Sequence, residues 1–90
     1  MKIFCLLITG AHNGEEYNPR IPIVSNDVKK VQETLKGFAD AAKNELEHNW
    51  IIDADEEGWF EAHEQNNYLE NHVVALIFDK NLEELDWSDE

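Results

Sequence analysis

The chain has 90 residues, 42% of them hydrophobic, and its 20 acidic side chains against seven Lys and Arg give a formal net charge of −13. Its hydrophobic content and nine aromatic residues exclude a disordered chain and predict one small folded domain. The single cysteine, Cys5, excludes an internal disulfide and a thiolate metal cluster, and it fits a reducing, cytoplasmic setting.

The charge is distributed unevenly along the chain. Residues 1–43 carry six bases and five acids, whereas residues 44–90 carry one base, Lys80, and fifteen acids. A field of this sign repels nucleic acids and anionic membranes, so direct binding to either is not expected. It attracts basic protein surfaces, and no catalytic signature accompanies it.

Residues 3–8 are apolar on both faces of a strand, which predicts a central strand covered on two sides. This run is too short for a signal peptide or a membrane span, and Gly10 is expected to end the strand. Asn13-Gly14 and Asn18-Pro19 then predict turns. They precede a short strand, residues 21–24, which Pro22 restricts to the edge of a sheet.

Apolar residues recur at spacings of three and four from Val28 to Leu46 and predict one amphipathic helix. We expect Ser25 to be its N-cap and the helix to run to about Glu47 or His48. Gly37 inside the helix costs about 1 kcal/mol relative to Ala, which suggests close packing at this position.

Residues 50–54 and 59–64 flank a four-residue connection and predict a β-hairpin, with Gly58 at a position of positive φ. After a polar loop, residues 73–78 are again apolar on both faces and are expected to lie beside the first strand. Asn81 is expected to cap a last short helix that uses Leu82, Leu85 and Trp87.

These elements predict a single α+β domain over residues 1–90, with residues 81–90 as an acidic C-terminal segment. The expected architecture has two layers, a mainly antiparallel sheet of four to five strands with one long amphipathic helix on one face. One helix covers one face only. Residues 82–87, the long loop or a second copy in a homodimer would have to cover the other apolar face.

Carboxylates are concentrated in and just after the predicted hairpin. Side chains two apart on one strand lie about 7 Å apart, and duplex DNA presents a charge about every 3.4 Å along each strand. Rows of carboxylates could therefore replace phosphates on a DNA-binding protein, although acids also keep small proteins soluble. The predicted partner-binding residues are Asp53, Asp55, Glu56, Glu57, Trp59, Glu61, Glu64 and Glu70, with Trp59 as an aromatic anchor.

The leading hypothesis is a small acidic inhibitor, not an enzyme, that mimics nucleic acid and blocks the basic groove of a nucleic-acid-binding protein or nuclease. In size, charge and simplicity the chain looks like the phage-encoded anti-restriction and anti-CRISPR proteins, and like the immunity proteins that neutralise nuclease toxins. This likeness is one of composition, and it carries no functional residue over to this chain.

Two other functions remain open, and no cofactor is predicted for the leading one. Asp53-x-Asp55 and Glu61-x-His63 each place two side chains on one strand face, so a metal-dependent or ligand-binding enzyme subunit could use Asp53, Glu61 and His63. Alternatively, the sheet face or residues 82–87 could join a larger assembly, which would make the protein an adaptor.

Overall fold

The computed structural model describes residues 1–46 and 49–81, which form a six-stranded antiparallel sheet and one helix. The sheet order is β2-β1-β6-β5-β4, and β3 also pairs with β1. The predicted two-layer α+β architecture is confirmed, with one strand more than the upper expectation. The elements are β1 (Lys2–His12), β2 (Glu15–Glu16), β3 (Arg20–Ser25), α1 (Val28–Glu45), β4 (Trp50–Glu56), β5 (Trp59–Glu64) and β6 (His72–Asn81).

The two strands that are apolar on both faces, β1 and β6, form the centre of the sheet, as predicted. They pair without a register shift from Lys2 opposite Asn81 to Ala11 opposite His72. Gly10 does not end β1, which corrects the sequence prediction. A Cβ atom at Gly10 would lie 2.4 Å from the carbonyl oxygen of His72, so glycine here permits close strand packing.

The predicted turn at Asn13-Gly14 is confirmed and joins β1 to β2. Both residues have left-handed backbone conformations, with φ of 53° at Asn13 and 86° at Gly14. Consecutive positive φ values match the right-handed twist of a tight hairpin. The strand β3 contains Pro22 and pairs with β1 alone, so its prediction as an edge strand is also confirmed.

The helix α1 begins later than predicted. Ser25 still belongs to β3, opposite Phe4, and Asp27 is the N-cap, whose side chain accepts a hydrogen bond from the Lys29 backbone N–H. The Ser25 hydroxyl instead accepts from the Asp27 N–H. The helix ends at Glu45, and residues 47 and 48 lie outside the described part of the chain.

The core lies between α1 and one face of the sheet. Phe60 of β5 is fully buried and makes an edge-to-face contact with Phe38 of α1, with ring centroids 6.4 Å apart. Full burial of such a side chain stabilises the fold by about 1.5–3 kcal/mol. The other members of the buried cluster are Leu6, Ile8, Val31, Leu35, Ala39, Ala62 and Ala75.

In the hairpin, β5 has the predicted bounds, whereas β4 is two residues longer than predicted and the turn is correspondingly shorter. Glu56 pairs with Trp59, so Glu57 and Gly58 alone connect the strands. Gly58 does not have a positive φ, and that expectation was wrong. The pairing also shifts between Ile52 and Ala54, where Asp53 forms a β-bulge.

Two expectations concern the remainder of the chain. Asn81 ends β6, and the helix expected for residues 82–87 lies outside the described residues. In the described ranges, 1–46 and 49–81, no helix is long and apolar enough to cross a membrane.

Replacing Gly37 with Ala should raise the free energy of unfolding by about 1 kcal/mol, because alanine restricts the unfolded chain and favours the helix. Gly37 is exposed, and an added Cβ would meet no atom within 4 Å, so the predicted close packing is absent. Urea unfolding provides the measurement. Gly10→Ala is the contrasting variant and should destabilise; an unchanged or lower stability for Gly37→Ala would contradict the argument.

Candidate functional site

The two faces of β5 have different environments. Phe60 and Ala62 point into the core beneath α1, so the alternation of a strand places Trp59, Glu61 and His63 on the opposite face. Among residues 1–46 and 49–81 no helix covers this side of the sheet, and we call it the open face. The predicted anchor Trp59 is 43% exposed there, so its indole ring is accessible to a partner.

The β-bulge separates Asp53 from Asp55. The Asp53 carboxylate lies 2.6 Å from Nδ1 of His63 on the open face. The Asp55 carboxylate instead accepts a hydrogen bond from Lys43 of α1, at 2.8 Å, on the helix side. The prediction that Asp53 and Asp55 share one strand face was wrong, because an extra residue in one strand interrupts the alternation of side chains.

The negative charge of Asp55 is offset by Lys43. The Lys43 Nζ also lies 3.6 Å from Asp40, and these contacts, chiefly the hydrogen bond to Asp55, raise the pKa of Lys43. An open groove of about 450 Å³ lies between α1 and the hairpin, and its walls carry both signs of charge. The charged side chains that line it are Lys29, Glu33, Lys36, Asp40, Lys43, Asp55, Glu56 and Glu57.

Glu56 and Glu57 lie at the tip of the hairpin. Both side chains are exposed, and neither has a hydrogen-bond or ion-pair partner among the side chains that the structure describes. Their charges are therefore offered to solvent or to another molecule. The adjacent Asp55, in contrast, forms an ion pair with Lys43.

Glu61 is held in place by two aromatic side chains. Trp59 donates its indole N–H to one carboxylate oxygen at 3.2 Å, and the Tyr68 hydroxyl donates to the other at 2.8 Å. Both donors are neutral, so they fix the carboxylate without cancelling its charge. The hydrogen bond to Glu61, desolvation and the charges of Glu61 and Asp53 raise the pKa of Tyr68.

Glu64 organises the loop that follows β5. Its carboxylate accepts hydrogen bonds from the side-chain amides of Asn67, Asn49 and Asn71, at 2.9–3.0 Å. Asn71 is buried, and its side-chain oxygen accepts from the Asn13 backbone N–H, which ties the loop to the β1–β2 turn. Glu64 thus has a structural role besides its charge. Glu70 is exposed in the same loop.

Tyr68 was not among the predicted site residues, although the loop carries it back over the open face. Its ring stacks on His72 at 4.9 Å, with an interplanar angle of 2°, and lies 5.2 Å from the ring of His63. The positive φ of Asn66 contributes to the reversal of this loop. The two asparagines at positions 66 and 67 are typical of a turn. They do not indicate that the turn places the Tyr68 side chain against the sheet.

The geometry does not favour a metal at Asp53, Glu61 and His63. Among residues 1–46 and 49–81, no three His, Cys, Asp or Glu side chains are grouped so that they could hold a metal ion. Asp53 and His63 contact each other, at 2.6 Å between the carboxylate and Nδ1. Cys5 is a free cysteine and is buried in β1.

No protein-family model, curated protein or solved structure matches this chain. No functional role can therefore be transferred from a known protein. The assignment of candidate functional residues depends on the geometry of the site. Of the predicted residues, the structure brings together Asp53, Trp59 and Glu61 on the open face. It places Asp55 against α1 and Glu64 inside the loop network.

Removing the Asn67 amide should raise the pKa of Glu64. Of the three hydrogen bonds that lower this pKa, the one from Asn67 has the largest effect. The carboxyl resonance of Glu64, followed by NMR through an acid titration, measures the change in Asn67→Ala. Asn18→Ala, an exposed asparagine in another loop, should leave this resonance's titration unchanged. Equal titrations in both variants would contradict the geometry.

The same hydrogen bonds make stability depend on pH. The hydrogen bonds lower the pKa of Glu64 in the folded state. Their contribution to the stability of the fold is therefore fully present above the unfolded-state pKa, and it is lost as pH falls through the folded-state pKa. The stability difference between the natural protein and Glu64→Gln should therefore shrink below about pH 4.

Replacing Glu61 with Gln should lower the pKa of Tyr68 towards that of a free tyrosine, because the hydrogen bond and the negative charge of Glu61 favour the protonated phenol. The pKa of Tyr68 is measured from the phenolate absorbance during an alkaline titration. The Tyr17→Phe background leaves Tyr68 as the single tyrosine. Glu57→Gln is the matched control. A Tyr68 pKa that is insensitive to Glu61→Gln would show that the contact is absent.

Proposed function

We propose that the protein is a small acidic inhibitor that binds a basic nucleic-acid-binding protein or nuclease and occupies its nucleic-acid groove. The observation that carries this proposal is the environment of Glu61, which is fixed by neutral donors and keeps its charge. Glu56 and Glu57 add two exposed charges at the tip of the same hairpin.

The sequence around the hairpin supports the proposal. No Lys or Arg occurs from Asn44 to Asp79, so β4, β5 and the following loop supply no permanent cation. Among the described residues, Lys43 is the one lysine that forms an ion pair with the hairpin, and it faces Asp55 on the helix side. A surface that only maintains solubility usually mixes both signs more evenly.

The rigidity of the hairpin also supports the proposal. The strand β5 pairs with β4 on one side and β6 on the other, and Phe60 anchors it in the core. Groups ordered before association lose less conformational entropy when a partner binds. On this proposal Glu56, Glu57 and Glu61 supply the charge that competes with phosphates, and Trp59 supplies an apolar anchor.

A capture experiment with a competition step tests this function. The immobilised protein is incubated with lysate of its source organism, and captured proteins are eluted with excess duplex DNA or RNA. Mimicry predicts that nucleic acid releases the captured protein and that the purified partner loses nucleic-acid binding when this protein is added. A captured protein that binds nucleic acid and this protein simultaneously would contradict the proposal.

Reversing the charges at the hairpin tip, Glu56→Lys with Glu57→Lys, should weaken binding to that partner at least tenfold, mainly through slower association at low salt. The matched control reverses Glu15 and Glu16, two exposed acids of β2, and changes the net charge equally. Surface plasmon resonance at several salt concentrations gives both rates. Equal losses in the two variants would mean that net charge alone drives binding.

A further inference from the structure

The surroundings of Glu61 form a small surface of distinctive chemistry on the open face. The neighbouring strands place Ala54 and Val74 opposite Glu61, so apolar side chains flank Glu61 on the same face of the sheet. Trp59 and Tyr68 contact its two oxygens, and each of these aromatic side chains is 43% exposed. A half-buried carboxylate is therefore flanked by two accessible aromatic rings.

This carboxylate has no cation of its own among the described residues. The titratable groups near it are His63, whose Nδ1 contacts Asp53, and His72, whose Nδ1 contacts the Tyr68 carbonyl oxygen. Each Glu61 oxygen accepts one hydrogen bond and can accept another. The site thus has negative charge, vacant acceptor positions and exposed aromatic surface together.

We propose that Glu61, Trp59 and Tyr68 bind an arginine side chain of the partner protein. This inference deepens the proposed function and takes the basic character of the partner from it. A guanidinium group can donate two parallel hydrogen bonds to the carboxylate and lie flat against an aromatic ring. A lysine ammonium is a compact, strongly hydrated charge that matches this surface less well.

Charge complementarity favours a basic partner over a second copy of this chain. Two copies, each with a net charge of −13, repel one another, and Arg20 is the single arginine that a second copy could offer to Glu61. Nucleic acid is disfavoured at the same surface for the same reason. The arginine therefore comes from a different protein, one whose groove ordinarily contacts phosphate.

The experiment uses two short peptides of equal length and charge, one with three arginines and one with three lysines. Binding is followed by NMR through the indole N–H resonance of Trp59, assigned by its loss in Trp59→Phe. The arginine peptide should bind at least several-fold more tightly and shift this resonance. Glu61→Gln should weaken arginine binding about tenfold, whereas Glu56→Gln, with the same change of charge, should have a much smaller effect.

A second variant keeps the inference testable if Glu61→Gln disturbs the fold, which the dispersion of the amide spectrum reports. Trp59→Leu retains the carboxylate but removes one ring, so the preference for arginine over lysine should decrease, as read from the backbone amides of β5. Equal binding of the two peptides to the natural protein would overturn the inference. So would equal effects of Glu61→Gln and Glu56→Gln.

The outcomes separate this inference from the proposed function. If a nucleic-acid-binding partner is captured and displaced by DNA but Glu61→Gln leaves its affinity unchanged, the arginine site is wrong and the inhibitor proposal stands. If the arginine peptide binds at Glu61 but no captured protein is displaced by nucleic acid, the site stands and nucleic-acid mimicry is wrong.

Discussion

The packing of α1 on one face of the central strands determines which side chains are buried in the core and which lie on the open face. A single helix buries Leu6, Phe60 and Ala75 on its own side, and strand alternation then directs Leu7, Trp59 and Leu76 to the other side. Among the described residues, the main cluster of fully buried side chains therefore lies on the helix side of the sheet. The open face keeps half-buried apolar side chains together with the carboxylate of Glu61.

The chemical nature of the hydrogen-bond donors matters more for this surface than the number of carboxylates. Lys43 offsets the charge of Asp55, whereas indole, phenol and amide donors hold Glu61 and Glu64 without offsetting theirs. Neutral donors also reduce the side-chain entropy that ordering a glutamate at an interface would otherwise cost. A carboxylate held in this way resembles a phosphate group at a fixed position more closely than a freely rotating carboxylate does.

Local sequence signals predicted much of the fold, and contacts between distant residues account for what they missed. Local backbone preferences account for two of these features. Asn13-Gly14 favours a tight turn, and Pro22 favours an edge position for β3. The bulge at Asp53 depends on how β4 aligns with β5, which no property of either strand alone specifies. The return of Tyr68 to Glu61 likewise depends on a loop held by Asn71, and the charge pattern gave no sign of it.

The bulge at Asp53 gives the hairpin two sides with different electrostatic character. On the helix side, Lys43 and the neighbouring lysines of α1 mix with Asp55, so an approaching cationic groove meets both attraction and repulsion. On the open face, the permanent charges of the hairpin are negative, and Trp59 lies beside them. Electrostatic complementarity orients an encounter before close contacts form, so a basic partner should approach from the open face and the hairpin tip.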